Sequence, residues 1–241
     1  MNPTNPTNAA TLMLMMSYIL ALAVACIIFV VILIVQRRRA KELQSSSPPS
    51  PSVLFDAVPQ RPVTWLAIRA AAPEAVMQAL GLDRSTPCSW SEGMAGDHEF
   101  FISSRINGWV IVTGIAIPSP DDDIDECFYF LISLSRKLGH VQFFHAEKFS
   151  FHHAWMRMDD GCVTRAYAWA GETIWNQGIK TAGEMELKMK CFPYGQDSFS
   201  AKAIEDNFNK VSMLATRWSL DPARIRSFKK SDGIAGQSQV N

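Results

Sequence analysis

Phe100–Ile115 reads FFISSRINGWVIVTGI. Two strand-like runs, Phe100–Ile106 and Trp109–Ile115, flank Asn107-Gly108. A type I′ turn needs positive φ at both central residues, which Asn and Gly tolerate, so this stretch predicts a β-hairpin. Upstream, Thr64–Arg69 (TWLAIR) has the short apolar character of a strand. Pro73 then opens a helix at its favoured first position, Ala75, Val76, Ala79 and Leu80 recur at helical spacing, and Gly81 closes it. A polar loop through Trp90 and Gly93 is expected to join that helix to the hairpin. Downstream, Asp121, Asp122, Asp123, Asp125 and Glu126 gather at the start of a helix with Ile124, Cys127, Phe128, Leu131 and Leu138 on one face. Arg136 and Lys137 fill its last turn before Gly139, so its acids and bases complement the helix dipole. A strand over His140–Lys148 completes the order β-α-β-β-α-β, the split βαβ plan of ferredoxin-like domains.

Two more strands, His152–Met158 and Cys162–Trp169, are joined by the turn Asp159-Asp160-Gly161. Thr181 and Glu184 form a capping box for a helix reaching about Phe192. A last helix runs from about Ala201 to Ser219, with Ile204, Phe208, Val211, Ala215 and Trp218 on one seam and Pro222 as its stop. The expected fold class is therefore α+β: a ferredoxin-like (βαββαβ) domain over residues 63–229, extended by a β-hairpin and C-terminal helices. Residues 230–241 are polar and expected to be a flexible tail.

The N-terminal part has a different composition. Residues 1–10 are uncharged, and 11–35 (Thr11 to Val35) form an uncharged run of Leu, Ile, Val, Met and Ala. A bilayer core needs about 20 apolar residues in a helix, so the run predicts a transmembrane helix with the lipid bilayer as its partner. It is too long for a signal-peptide core, and no basic residue precedes it. Arg37, Arg38, Arg39 and Lys41 flank it on the C-terminal side, which predicts a single-pass protein of the cell (inner) membrane with its N-terminus outside and its C-terminal domain cytoplasmic. Residues 36–62 combine that basic segment with a Pro/Ser-rich linker, Ser45-Ser46-Ser47-Pro48-Pro49-Ser50-Pro51-Ser52, which cannot bury a core.

Without the basic cluster and its neighbour Glu42, the chain carries 19 bases and 22 acids, which excludes nucleic acid as a natural partner. Cys26 lies in the apolar run, and Cys88, Cys127, Cys162 and Cys191 are widely spaced with no C-x-x-C pair, so reduced thiols are expected. Cys88 shows no activating base in sequence. Signatures for nucleotide binding, zinc proteolysis and serine hydrolysis are absent, and no cofactor is implied. Asp121, Asp123 and Asp125 resemble the start of a calcium loop, but Glu126 stands where Gly is needed and Ile132 where a bidentate Glu is needed.

Two clusters remain as candidate binding residues. His145 and Glu147 share one face of their strand, and His153 and Arg157 share a face of the next. If the strands pair, His145, Glu147 and His153 could converge for metal binding or acid–base work. In Arg165–Gly178 (RAYAWAGETIWNQG), Arg165, Trp169, Glu172 and Trp175 combine aromatic area with polar handles, which suits a ligand surface as well as an ordinary core. The strings LSRKLGHVQFF, HHAW, RAYAWAGETIWNQG and the earlier NGWVIVTG resemble a group of uncharacterised bacterial proteins over Trp65 to about Phe192. That resemblance implies a bacterial origin and a shared domain, and it carries over no catalytic residue. The function expected is that of a membrane-tethered module binding an unknown protein or small-molecule ligand. The alternative is an enzyme or metal site built on His145, Glu147 and His153.

Overall fold

The Asn107-Gly108 turn forms as the sequence dictates: Asn107 has φ +50° and Gly108 +88°, and Ile106 bridges Trp109. This computed structural model describes residues 16, 62–70, 72–195, 200–225 and 233–238. The chain divides into two units, Met1–Phe55 and Asp56–Asn241, and every element below belongs to the second. The elements are β1 (Thr64–Ile68), α1 (Pro73–Leu80), β2 (Leu82–Cys88), α2 (Trp90–Ala95), β3 (Phe100–Ser103), β4 (Val110–Thr113), α3 (Ile124–Leu138), β5 (His140–Ala146), β6 (His153–Asp159), β7 (Cys162–Trp169), β8 (Thr173–Gln177), α4 (Ala182–Glu186), α5 (Ala201–Trp218) and β9 (Gly233–Ser238). A short 3-10 turn, Pro222–Arg224, follows α5.

All nine strands join one sheet in the order β2-β9-β3-β4-β1-β5-β6-β7-β8. Every neighbouring pair is antiparallel. The domain is therefore not ferredoxin-like, and the reason lies in how the sheet is covered. The expected plan has helices over one face only. Here α1 and α3 pack on one face, where Val76, Cys127, Leu131 and Leu134 meet Leu66, Phe143 and Met156. On the other face, Trp90 and Met94 of α2 and Val211, Leu214 and Ala215 of α5 meet Trp65, Phe144 and Trp155. Side chains alternate across a strand, so each central strand feeds both cores and has few polar positions to spare.

Three further expectations change. The polar loop through Trp90 and Gly93 holds the helix α2, whose Ser89–Glu92 capping box satisfies its N-terminus. The Thr181–Glu184 box is also present, but the helix it starts, α4, ends at Glu186 rather than near Phe192. Gly233–Ser238, in the tail expected to be loose, pairs as β9 between β2 and β3.

The membrane expectation is corrected as well. Among the described residues no helix is long and apolar enough to cross a membrane. The longest described helix, α5, carries Lys202, Glu205, Asp206, Lys210 and Arg217, so it is an amphipathic surface helix. The apolar run Thr11–Val35 and the flanking Arg37, Arg38, Arg39 and Lys41 lie outside the described residues. The structure gives the single-pass topology no support.

Candidate functional site

At one end of the sheet β4 and β5 finish, and β1 and β6 begin. A cleft of about 950 Å³ opens there. Its walls come from Pro62–Thr64 at the start of β1, the end of α2, the segment after β4, the approach to α3, and the end of β5. Gly114 sets one wall. Its φ is +145°, and a Cβ there would lie 2.2 Å from the Glu99 carbonyl oxygen, so only glycine lets the chain turn this close to β3.

His145 is 2% exposed and sits opposite Thr64 in the β1–β5 register. Its Nδ1 lies 2.8 Å from Thr64 Oγ1, and its Nε2 lies 3.3 Å from Asp121 Oδ2. The same Asp121 oxygen lies 2.7 Å from Nδ1 of His152. A carboxylate can only accept, so Nε2 of His145 carries the proton toward Asp121 and Nδ1 is left to accept from the Thr64 hydroxyl. Burial pushes the Asp121 carboxyl up, but the hydrogen bonds from His145 and His152 and the electrostatic attraction of their rings outweigh it and hold Asp121 below the ordinary range. Asp121 is thus kept ionised at the base of α3.

The cleft lining includes four carboxylates, Asp121, Asp122, Glu126 and Glu147, and no Lys or Arg. Glu147 is engaged with its own turn: it accepts from the backbone N–H of Phe149 at 3.0 Å and of Ser150 at 2.7 Å, and from the Ser150 hydroxyl at 2.6 Å. Burial raises the Glu147 carboxyl, and these bonds more than reverse the effect. Asp122 and Glu126 have no ion-pair partner among the described residues. Met94, Ile115, Ile117 and Pro118 give the cleft an apolar side.

The candidate residues from the sequence do not come together. In the β5–β6 register His145 faces Ala154, whereas His153 faces Ala146, so the two imidazoles point to opposite faces of the sheet. His145 and Glu147 reach the cleft. His153, 1% exposed, is stacked between Trp155 and Trp169 in the other core. It donates from Nδ1 to the Phe151 carbonyl at 2.8 Å and accepts from Asn207 at 3.5 Å. Burial lowers its pKa to about 4, so it is neutral near pH 7. Among the described residues no group of three or more His, Cys, Asp or Glu side chains could hold a metal ion. The convergent metal site expected from His145, Glu147 and His153 is therefore absent from them.

Arg165 lies on the His153 face, 1% exposed, with Nε 2.9 Å from Glu184 Oε1 and further bonds to the carbonyls of Ala166 and Gln177. Glu184 also accepts from Trp155 Nε1 at 2.8 Å and from the Thr181 backbone N–H at 2.8 Å. This is a saturated internal network. Trp169 is buried on the same face, Trp175 packs against Phe128 on the opposite face, and Glu172 sits exposed in the β7–β8 turn. These four residues form no shared surface.

Sequence reasoning missed Thr64 and Asp121 as partners of His145, and His152 as the second imidazole on Asp121. Asp121 was hidden in a run of acids whose dipole role explained them all. Only the fold reveals that Asp123 caps α3 while Asp121 turns inward. Cys88 does have a neighbouring imidazole, with His98 Nε2 3.4 Å from its sulfur. Burial and the charge of Glu92 push that thiol up, so it is not an activated nucleophile. The four described cysteines, Cys88, Cys127, Cys162 and Cys191, are free.

No protein-family model matches the chain, and neither a curated protein nor a solved structure matches it. Function must be argued from the site itself.

Proposed function

We propose that this domain is a binding module that takes a positively charged ligand in the cleft beside His145. The observation carrying this reading is the composition of the lining: Asp121, Asp122, Glu126 and Glu147 with no Lys or Arg. A concave, low-dielectric wall of one charge sign focuses its field on the opposite sign. The volume, about 950 Å³, and the mixture of apolar wall with a few polar groups suit a ligand pocket. Asp122 and Glu126 are the groups left to pair with a cation, while Asp121 and Glu147 fix the walls.

Thr64, His145 and Asp121 have the connectivity of a hydroxyl–imidazole–carboxylate relay, which favours a second reading as a nucleophilic enzyme. The same four carboxylates weigh against it. Attack by Thr64 on a carbonyl would build negative charge in a negative cleft, where stabilisation requires donors or cations. The relay is better understood as the brace that ties β1, β5 and the approach to α3 together.

Calorimetric titration of the full-length protein with spermidine at low salt tests the reading. Binding is expected, weakened by added salt and reduced roughly tenfold or more when Asp122→Asn and Glu126→Gln are combined, since each loses a charged contact. An absence of binding, or an affinity indifferent to the double substitution, would contradict it.

A further inference from the structure

We propose that the occupant of the cleft is a basic peptide segment of a partner protein, with an apolar residue beside its lysine or arginine, rather than a free small amine. This rests on the cation reading above. The added observation is the rim. Val63 and Ile115 line the cleft yet are 47% and 74% exposed. Single exposed apolar side chains are ordinary, but here two border one acidic recess. A small amine would answer the carboxylates and leave these two side chains in water. A segment placing a cationic side chain toward Asp122 and Glu126, and an apolar neighbour across Val63 and Ile115, answers both. Apolar anchors with a charged partner are the common composition of peptide sites.

Two capped peptides of equal charge separate the contributions: acetyl-Leu-Lys-Leu-Lys-amide and acetyl-Gly-Lys-Gly-Lys-amide, titrated against the full-length protein beside spermidine. The leucine peptide is expected to bind roughly tenfold more tightly than the glycine peptide, as burial of apolar area requires. Combining Val63→Ser with Ile115→Ser should erase that preference while the glycine peptide still binds. Both side chains are exposed, so the fold does not depend on them. Equal affinities for the two peptides, or a leucine preference that survives the double substitution, would overturn this inference and leave the cation reading intact. Spermidine binding without peptide binding would do the same. Failure of all three probes would overturn both.

Discussion

His145 and His153 sit on neighbouring strands, one residue out of step in register, and meet opposite fates. His145 faces the α3 side, where its ring joins Thr64 to Asp121 at the edge of an open cleft. His153 faces the α5 side, sealed between two tryptophans and held neutral. The contrast extends to the carboxylates. Glu184 is fully buried and saturated by Arg165, Trp155 and Thr181, whereas Asp122 and Glu126 stand exposed with no ion-pair partner among the described residues. One region spends its polar groups on holding the fold, and the other leaves charge available to a ligand. A one-residue change of register in a strand decides which role a side chain receives.

The sharpest way to break this comparison is Arg165→Leu. It strands the Glu184 carboxylate in the core and is expected to cost about 3–5 kcal/mol of stability in urea unfolding. A loss within about 0.5 kcal/mol would mean that the network is not buried as described. Next comes acid unfolding. The folded pKa of His153, about 4, lies below the ordinary imidazole value of 6.5, so the unfolded chain binds the extra proton between those values. Its contribution is complete above pH 6.5 and is lost as pH falls toward 4, amounting to about 3 kcal/mol. The depressed carboxyls of Asp121, Glu147 and Glu184 release their contributions only below the ordinary carboxylate range, so the two windows are separable. His153→Asn, which keeps a donor near the Phe151 carbonyl, should flatten the slope of melting temperature between pH 6.5 and 4. An unchanged slope would assign it to another group. The smallest effect on stability belongs to Asp122→Asn and Glu126→Gln, each within about 0.5 kcal/mol, because exposed positions without partners contribute little to folding. Their cost should fall on binding alone.

Local structure was legible where backbone chemistry dictates it. Asn107-Gly108, Asp160-Gly161 and the Thr181–Glu184 box all behave as their residue types require. The seam of α5 was readable from 3.6-residue periodicity. β2 and β9 were not. β2 (LDRSTPC) has five consecutive exposed residues and a proline, and lies at the sheet edge, so no alternation marks it. β9 (GIAGQS) is held by pairing on both sides and by the smallness of Gly233, whose Cβ would meet the Ile102 carbonyl oxygen at 2.4 Å. Neither feature produces an apolar pattern. The site was half legible. His145 and Glu147 were found, but the expected partner His153 depended on a register that only the paired strands define. Asp121 became distinguishable from its acidic neighbours only once α3 was docked.

The central claim is that the acidic cleft is where a cation goes. Methyl NMR of the full-length protein, labelled at isoleucine and methionine and titrated with spermidine, tests it most directly. Met94, Ile115 and Ile117 line the cleft, whereas the core residues Ile68, Met156 and Met158 are not part of its lining. Shifts confined to the first three, saturating with ligand and suppressed in the Asp122→Asn, Glu126→Gln protein, are the expected result. Shifts absent from the cleft methyls, or spread evenly over both groups, would contradict it.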